Sequence, residues 1–318
     1  MRGVYLTLLG ACLAMPLLAA EPAQMSAQGL LERLLAAEQK HSFQGAFVYE
    51  RNGNFSTHAI WHRLEADGQV RERLLQLDGP MQEMLRIDGQ PLCVSIAQVG
   101  NVVAMPGLHG SPQSAQLMES YELRLLGESR VAGHAAVVVA LVPRDAYRYG
   151  LELHLDQQTG LTLKSLLLNN KGQLLERFQY TQLDSTSPLS DAALQPSADC
   201  LAVPVLPAAA AAASPWHADW LPPGFSLIAT QQGPSADGTA LTWLMFTDGL
   251  ARISVFIEPV GDVAVEDLHS QLGPTAVVSR LIPGVEGAVM VTVVGEVPLT
   301  AIERVALSMR LSPEQVAP

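Results

Sequence analysis

Along most of the chain apolar residues recur at every second position, in short runs broken by glycine. The first periodic stretch is different. Over 26–41, Leu30, Leu31, Leu34 and Leu35 form a stripe at helical spacing, and Ser26 stands where an N-cap belongs, which predicts a helix. From Phe43 the period drops to two: Phe43, Gly45, Phe47 and Tyr49 share one face, and Gln44, Val48 and Glu50 the other. Asn52-Gly53 then predicts a type I′ hairpin with a return strand over 55–63. Turn signals at Asp67-Gly68, Asp78-Gly79-Pro80, Asp88-Gly89, Ala132-Gly133, Thr159-Gly160 and Lys171-Gly172 separate further strands over 70–77, 84–87, 121–128, 135–142, 149–156, 161–169 and 174–181. Short strands between glycine turns predict an antiparallel sheet. So many strands curl, and the concave face of a curled sheet needs covering. The stretch 97–118 breaks the pattern. It contains Met105-Pro-Gly-Leu-His-Gly-Ser-Pro112 and reads as a mobile loop over the opening of the sheet.

Residues 203–215 hold Pro204, Pro207 and Pro215 around a run of six alanines, which predicts a semi-rigid linker. Beyond it the pattern resumes. Strands are expected over 225–230, 241–246, 252–258, 277–281 and 288–294, and a short helix over 263–272, closed by Gly273. Thr300-Ala-Ile-Glu303 has the form of a capping box, and Ile302, Val305, Ala306 and Met309 follow at helical spacing. The expected organisation is a larger domain over 21–202, a linker over 203–215 and a small α+β domain over 216–318. The fold class is α+β, mainly antiparallel β.

The first twenty residues are an address. Met1-Arg2 is followed by an uncharged apolar run over 4–18, and Leu18-Ala19-Ala20 precedes Glu21, which predicts a secretory signal peptide over 1–20 cut after Ala20. Its removal also removes Cys12. Cys93 and Cys200 remain, an even pair in an oxidising compartment. One disulfide would close a loop of about 107 residues and contribute about 4 kcal/mol; the alternative is two separate buried thiols.

Composition narrows function mainly by exclusion. The 318 residues carry a net charge of −12, with 19 basic side chains, of which only Lys40, Lys164 and Lys171 are lysine. That argues against nonspecific nucleic-acid binding and against attachment to anionic lipid. No nucleophile elbow, zinc-protease motif, phosphate-binding loop or EF-hand pattern occurs, so neither enzyme activity nor a cofactor is expected. His58 and His62 share a strand face about 13 Å apart, too far for one metal, and read as surface or partner-facing histidines. Arg71-Glu72-Arg73 with Asp78 and Glu83, and Arg144-Asp145 with Arg148-Tyr149, read as solvated edges or as groups that orient a bound peptide. Phe43, Phe47 and Trp61, with Met81 and Met84, are the candidate lining of an acyl-chain pocket in the concavity. Trp216, Trp220 and Phe225 open the second domain as core or as partner contacts.

Several stretches carry a resemblance. In the first half they are Gly45-Ala-Phe-Val-Tyr-Glu-Arg-Asn-Gly53, Arg71-Glu-Arg-Leu-Leu-Gln-Leu-Asp-Gly-Pro80 and Arg148-Tyr-Gly-Leu-Glu-Leu-His-Leu-Asp156. In the second they are Trp216-His-Ala-Asp-Trp-Leu-Pro-Pro-Gly-Phe225, Asp248-Gly-Leu-Ala-Arg-Ile-Ser-Val-Phe-Ile-Glu258 and Val291-Thr-Val-Val-Gly-Glu-Val-Pro298. Together, in order and over nearly the whole mature chain, they resemble the MucB/RseB family of periplasmic regulators of the envelope-stress sigma factor (sigma-E/AlgU type), closest to its pseudomonad branch. The resemblance implies a LolA-like unclosed β-barrel with helices over its mouth. It implies a partner, the periplasmic domain of a MucA/RseA-like membrane anti-sigma factor, which the regulator shields from the site-1 protease. Release by lipid or lipopolysaccharide, control of alginate genes and self-association are further expectations. The partner contacts would fall at Trp216, Trp220, Phe225 and Arg252. The competing expectation is a periplasmic lipid or lipoprotein carrier of the LolA type, which would need only the first domain.

Overall fold

A computed structural model describes residues 27–95, 114–203, 214–234, 238, 240–260, 267–284 and 287–312. The expected signal peptide, the expected Ser26 cap, most of the expected 97–118 loop and most of the expected linker fall outside the described residues.

The first domain begins with helix α1 (Ala27–Ala37). The strands β1 (Phe43–Arg51), β2 (Asn54–Leu64), β3 (Val70–Gln76), β4 (Glu83–Ile87) and β5 (Gln90–Ser95) follow as a meander. A second meander runs through β6 (Tyr121–Val131), β7 (His134–Pro143), β8 (Gly150–Asp156), β9 (Thr162–Leu168) and β10 (Leu174–Asp184), after the short helix α2 (Ser114–Ser120). Strand β11 (Cys200–Ala202) completes one eleven-stranded antiparallel sheet in the order β11-β5-β4-β3-β2-β1-β10-β9-β8-β7-β6. β11 and β6 are its two edges, so the curled sheet is an unclosed barrel. The β1–β2 hairpin forms as expected: Asn52 and Gly53 have φ of 56° and 75°, and Arg51 pairs with Asn54 across a two-residue loop. The expected 97–118 loop is corrected at its end. Residues 114–120 form α2, and its Leu117 is buried.

Two clusters fill the first domain. Leu30, Leu31 and Leu34 of α1 and Leu117 of α2 pack on Tyr121, Val139, Leu141, Leu153 and Leu155. Phe43, Phe47, Ile60, Met84, Phe178 and Tyr180 form the other. The rings of Phe47 and Phe178 lie 4.7 Å apart across the β1–β10 ladder. The Cys93–Cys200 disulfide is formed and joins β5 to β11.

In the second domain β12 (Trp216–Ala218) pairs with β19 (Met309–Leu311). Strands β13 (Ser226–Pro234), β14 (Ala240–Thr247), β15 (Arg252–Pro259), β16 (Leu268–Leu272), β17 (Thr275–Pro283) and β18 (Ala288–Gly295) form a six-stranded antiparallel sheet in the order β13-β14-β15-β18-β17-β16. Helix α3 (Leu299–Ser308) covers one face, with Ile302, Val305 and Ala306 buried against Ile253, Val255, Val278, Val291 and Val293.

Two expectations fail here. The helix over 263–272 is instead an edge strand where it is described. β16 pairs with β17 through a Gly273-Pro274 loop in which Gly273 has φ 58°, so the glycine closes a hairpin rather than a helix. The capping box is not made either. Pro298 occupies the N-cap position, so Thr300 falls inside the helix.

Candidate functional site: an interdomain cavity

The second domain docks on the first through paired side chains. Arg148, in the β7–β8 connection, has a guanidinium with no solvent exposure. It donates to Asp145 at 3.0 and 3.1 Å and to Asp248 Oδ2, in the β14–β15 turn, at 2.6 Å. It also donates to the Pro223 carbonyl and stacks over the rings of Tyr121 and Phe225, each 5.4 Å away. The Tyr121 hydroxyl donates to the same Asp248 oxygen at 3.1 Å. Burial, and then the Asp248 charge, push the Tyr121 pKa well up, so the phenol keeps its proton and remains the donor. Asp248 Oδ1 accepts from the backbone N–H groups of Leu250 and Ala251 at 2.9 and 2.7 Å. Every lone-pair direction of a buried carboxylate is thus occupied, which is the condition under which a buried charge is tolerated.

A second lock lies on the β1–β10 ladder. Tyr49 donates to Glu176 at 2.6 Å, and Arg51 bridges Glu176 at 3.2 Å and Glu296 of the second domain at 2.7 Å. Arg51 also donates to Thr275, and Gln271 donates to the Tyr149 hydroxyl at 2.7 Å. Burial pushes the Glu176 carboxyl up to about 7, with the Glu296 charge adding to the effect. A third contact is Arg304 of α3, 4.0 Å from the Trp220 ring and hydrogen-bonded to the Tyr147 hydroxyl at 2.7 Å.

Between these locks lies a cavity of ≈ 310 Å³. One wall is the first domain: Leu34, Leu35, Leu151, Leu153 and Leu167, with Glu38, Tyr149 and Glu176. The other is the second domain: Leu250, Arg252, Ser254, Thr275, Val294 and Glu296. A smaller recess behind Glu38 reaches Phe43, Leu161, Phe178 and Tyr180. The cavity therefore exists only while the domains are docked.

The sequence-expected pocket residues do not line it. Phe47 and Met84 are buried at 0% and 1% exposure, consumed by the core, and Phe43 reaches only the small recess. Trp61 lies against Arg73, whose guanidinium is 5.2 Å from the ring, and Met81 is exposed. The concave face at the β1–β10 ladder is filled because Phe178 and Tyr180 meet Phe43 and Phe47 from the opposite strand. Of the expected partner contacts, Phe225 is buried against Arg148, Trp216 and Trp220 pack partly buried at the edge of the second core, and Arg252 lines the cavity. The histidine expectation is overturned: His58 and His62 are 1% and 2% exposed and stack on Phe47 and Phe43. The charged stretches are not solvated edges throughout. Glu83 is buried and bonds Arg73 at 2.6 Å, and Arg148 is the interdomain hub.

Among the described residues no three His, Cys, Asp or Glu side chains gather to hold a metal. Ser129 and Glu152 flank His154 at 2.7 and 3.0 Å, but none of the three lines the cavity, where a substrate would sit.

An unclosed sheet, a docked second domain and an apolar cavity walled by both define a two-domain binding protein. The MucB/RseB N-terminal domain family matches residues 26–198 and the MucB/RseB C-terminal domain family residues 210–310, and the chain belongs to the MucB/RseB family. It is 52% identical over 316 residues to the sigma factor AlgU regulatory protein MucB of Pseudomonas aeruginosa, covering 98% of each chain. It is 28% identical over 300 residues to the sigma-E factor regulatory protein RseB of Haemophilus influenzae, covering 90% of this chain and 92% of that one. Among solved structures, MucB in complex with MucA(peri) superposes with a TM-score of 0.79 at 52% identity, covering 90% of this chain and 99% of that one. A crystal structure of MucB superposes at 0.70 with the same identity, covering 92% and 100%. These relatives are named as regulatory proteins, which sets them apart from the carrier alternative.

Proposed function

We propose that the protein is a non-catalytic periplasmic regulator of the envelope-stress response. It holds the periplasmic domain of a MucA/RseA-like anti-sigma factor, shields it from site-1 proteolysis, and lets go when lipid or lipopolysaccharide enters the interdomain cavity. The supporting observation is that both domains wall one cavity. A ligand that inserts there changes the distance between the walls, and with it the pose of any partner surface that spans both domains. Two ligands that favour different poses oppose each other by the ratio of their affinities for the two states. The first domain supplies most of the apolar wall through Leu34, Leu35, Leu151, Leu153 and Leu167, the second supplies Leu250, Arg252 and Val294, and the Pro-containing sequence of 203–215 reads as a semi-rigid connection between them.

Calorimetric titration of the anti-sigma periplasmic domain into the full chain, with and without lipopolysaccharide, tests this reading. Binding that weakens as lipid is added is expected. A chain with 204–215 replaced by a long Gly/Ser segment should bind more weakly and respond less to lipid. Binding indifferent to both lipid and linker would remove the proposal.

A further inference from the structure

Two buried histidines of β2 stack on phenylalanine rings of β1, and their hydrogen bonds set them apart. His58 lies on Phe47 with ring centroids 5.0 Å apart, and His62 on Phe43 at 4.5 Å. His58 Nε2 meets the Ser56 hydroxyl at 2.8 Å, while its Nδ1 is buried with no partner among the described residues. Such a ring holds one proton, and burial pushes its pKa down.

His62 has an acceptor at each nitrogen. Nε2 lies 2.7 Å from the backbone carbonyl of Glu38, and Nδ1 3.1 Å from the Glu72 carboxylate. A carbonyl oxygen only accepts, so Nε2 carries a hydrogen. Glu72 binds Arg86 through its other oxygen at 3.0 Å, which holds the carboxylate ionised, so Nδ1 carries a hydrogen too. A neutral ring has one N–H and would turn a lone pair on Glu72, in a site where His62 is 2% exposed. Burial opposes the charge, but the bond to Glu72, the Glu72 charge and the Glu38 carbonyl outweigh it, and the His62 pKa is raised. The groups that face the ring are Glu72 of β3, Arg86 of β4, the exposed Glu38 side chain and, behind Phe43, Tyr180 of β10, whose phenol burial keeps protonated.

The Glu38 carbonyl follows directly on α1, where backbone acceptors have no partner within the helix. A cation at that end also complements the helix dipole. α1 in turn brings Leu34 and Leu35 to the cavity wall.

We infer that His62 is a buried imidazolium that latches the end of α1 to the sheet, and that loss of its Nδ1 proton slackens this wall of the cavity. The bond to Glu38 then falls from charge-assisted to neutral, and Nδ1 repels Glu72. Because the folded-state pKa is raised, the latch is complete below the ordinary value of 6.5 and is lost as pH rises through the folded-state value. The inference concerns how the wall is held, and it stands or falls independently of what enters the cavity.

The test uses residues 21–318 labelled with ¹⁵N-histidine and titrated by NMR from about pH 6 to 9.5, with His58→Gln and His62→Gln assigning the two rings. At about pH 7, His62 should show two protonated nitrogens and His58 one. Amide protection factors over 30–37 should fall about tenfold across the His62 titration, the range of one charge-assisted hydrogen bond. They should not do so in His62→Gln, which offers an amide donor and cannot titrate. Glu72→Gln serves if that variant folds poorly, and should move the His62 midpoint down by at least about one pH unit. An unprotonated nitrogen on His62 at about pH 7, or a midpoint indifferent to Glu72→Gln, overturns the imidazolium. Protection over 30–37 that follows pH identically in wild type and His62→Gln overturns the latch.

Discussion

The guanidinium of Arg148 and the carboxylate of Asp248 lie 2.6 Å apart, neither exposed to solvent, and each belongs to a different domain. A buried ion pair adds little net stability over an apolar pair, because desolvation offsets most of the attraction. Breaking it from one side is different, since a buried charge is left alone. Asp248→Asn should therefore destabilise the protein by about 3–5 kcal/mol. The double change Arg148→Met with Asp248→Leu should recover a large part of that. Urea unfolding followed by tryptophan fluorescence reports both. A cost below about 1 kcal/mol for the single variant would mean that the domains do not depend on this contact.

Glu176 makes stability depend on pH in a stated direction. Its carboxyl is raised to about 7, above the ordinary value of 4.5, so the folded chain binds a proton more readily than the unfolded one. Its contribution is complete below about pH 4.5 and is lost as pH rises towards 7, with an upper bound of order 3 kcal/mol. Glu176→Gln cannot ionise. The difference in unfolding free energy between wild type and this variant should shift against the wild type from pH 4.5 to 7 and flatten above. A difference constant over that window would show that Glu176 is ionised throughout.

Gly273 is confined by the other domain. Its φ is 58°, and a Cβ there would overlap the side-chain amide oxygen of Asn52, at the tip of the β1–β2 hairpin. Gly273→Ala should cost about 1–3 kcal/mol from the combined backbone strain and overlap. Asn52→Gly, which keeps the positive φ and removes the amide, should return the overlap part in the double variant. A double-mutant cycle showing simple additivity would mean that the two hairpins do not touch in solution.

The strand pattern was readable because each turn is local. Asn52-Gly53 sets two positive φ values by itself, and the alternation of Phe43, Phe47 and Tyr49 names the inward face. Alternation does not say what meets that face. Phe178 and Tyr180 arrive from more than a hundred residues away and fill the space where an acyl chain was expected. β16 was misread because all five of its residues are exposed, leaving no period-two burial to set against helical spacing. The site was hidden for the same reason. Arg148 and Asp248 are a hundred residues apart, and Arg51 and Thr275 are 224 apart, so only docking makes them neighbours. Arg148 drew notice in the sequence because Asp145 is nearby, and that part of the contact is local.

The strand order has a kinetic consequence. β1 to β5 and β6 to β10 are each sequential meanders, whose pairings close over short loops and form early. They are joined by the β1–β10 pairing, which brings Arg51 opposite Glu176 across 125 residues and must close the longest loop. The second domain rests on both halves and on this junction: on Tyr121 and Arg148 from one meander, Asn52 from the other, and the Arg51–Glu176 pair between them. A chain whose two halves have not yet met has no platform for its second domain and no cavity. Assembly of the binding site thus doubles as a checkpoint on completion of the first domain.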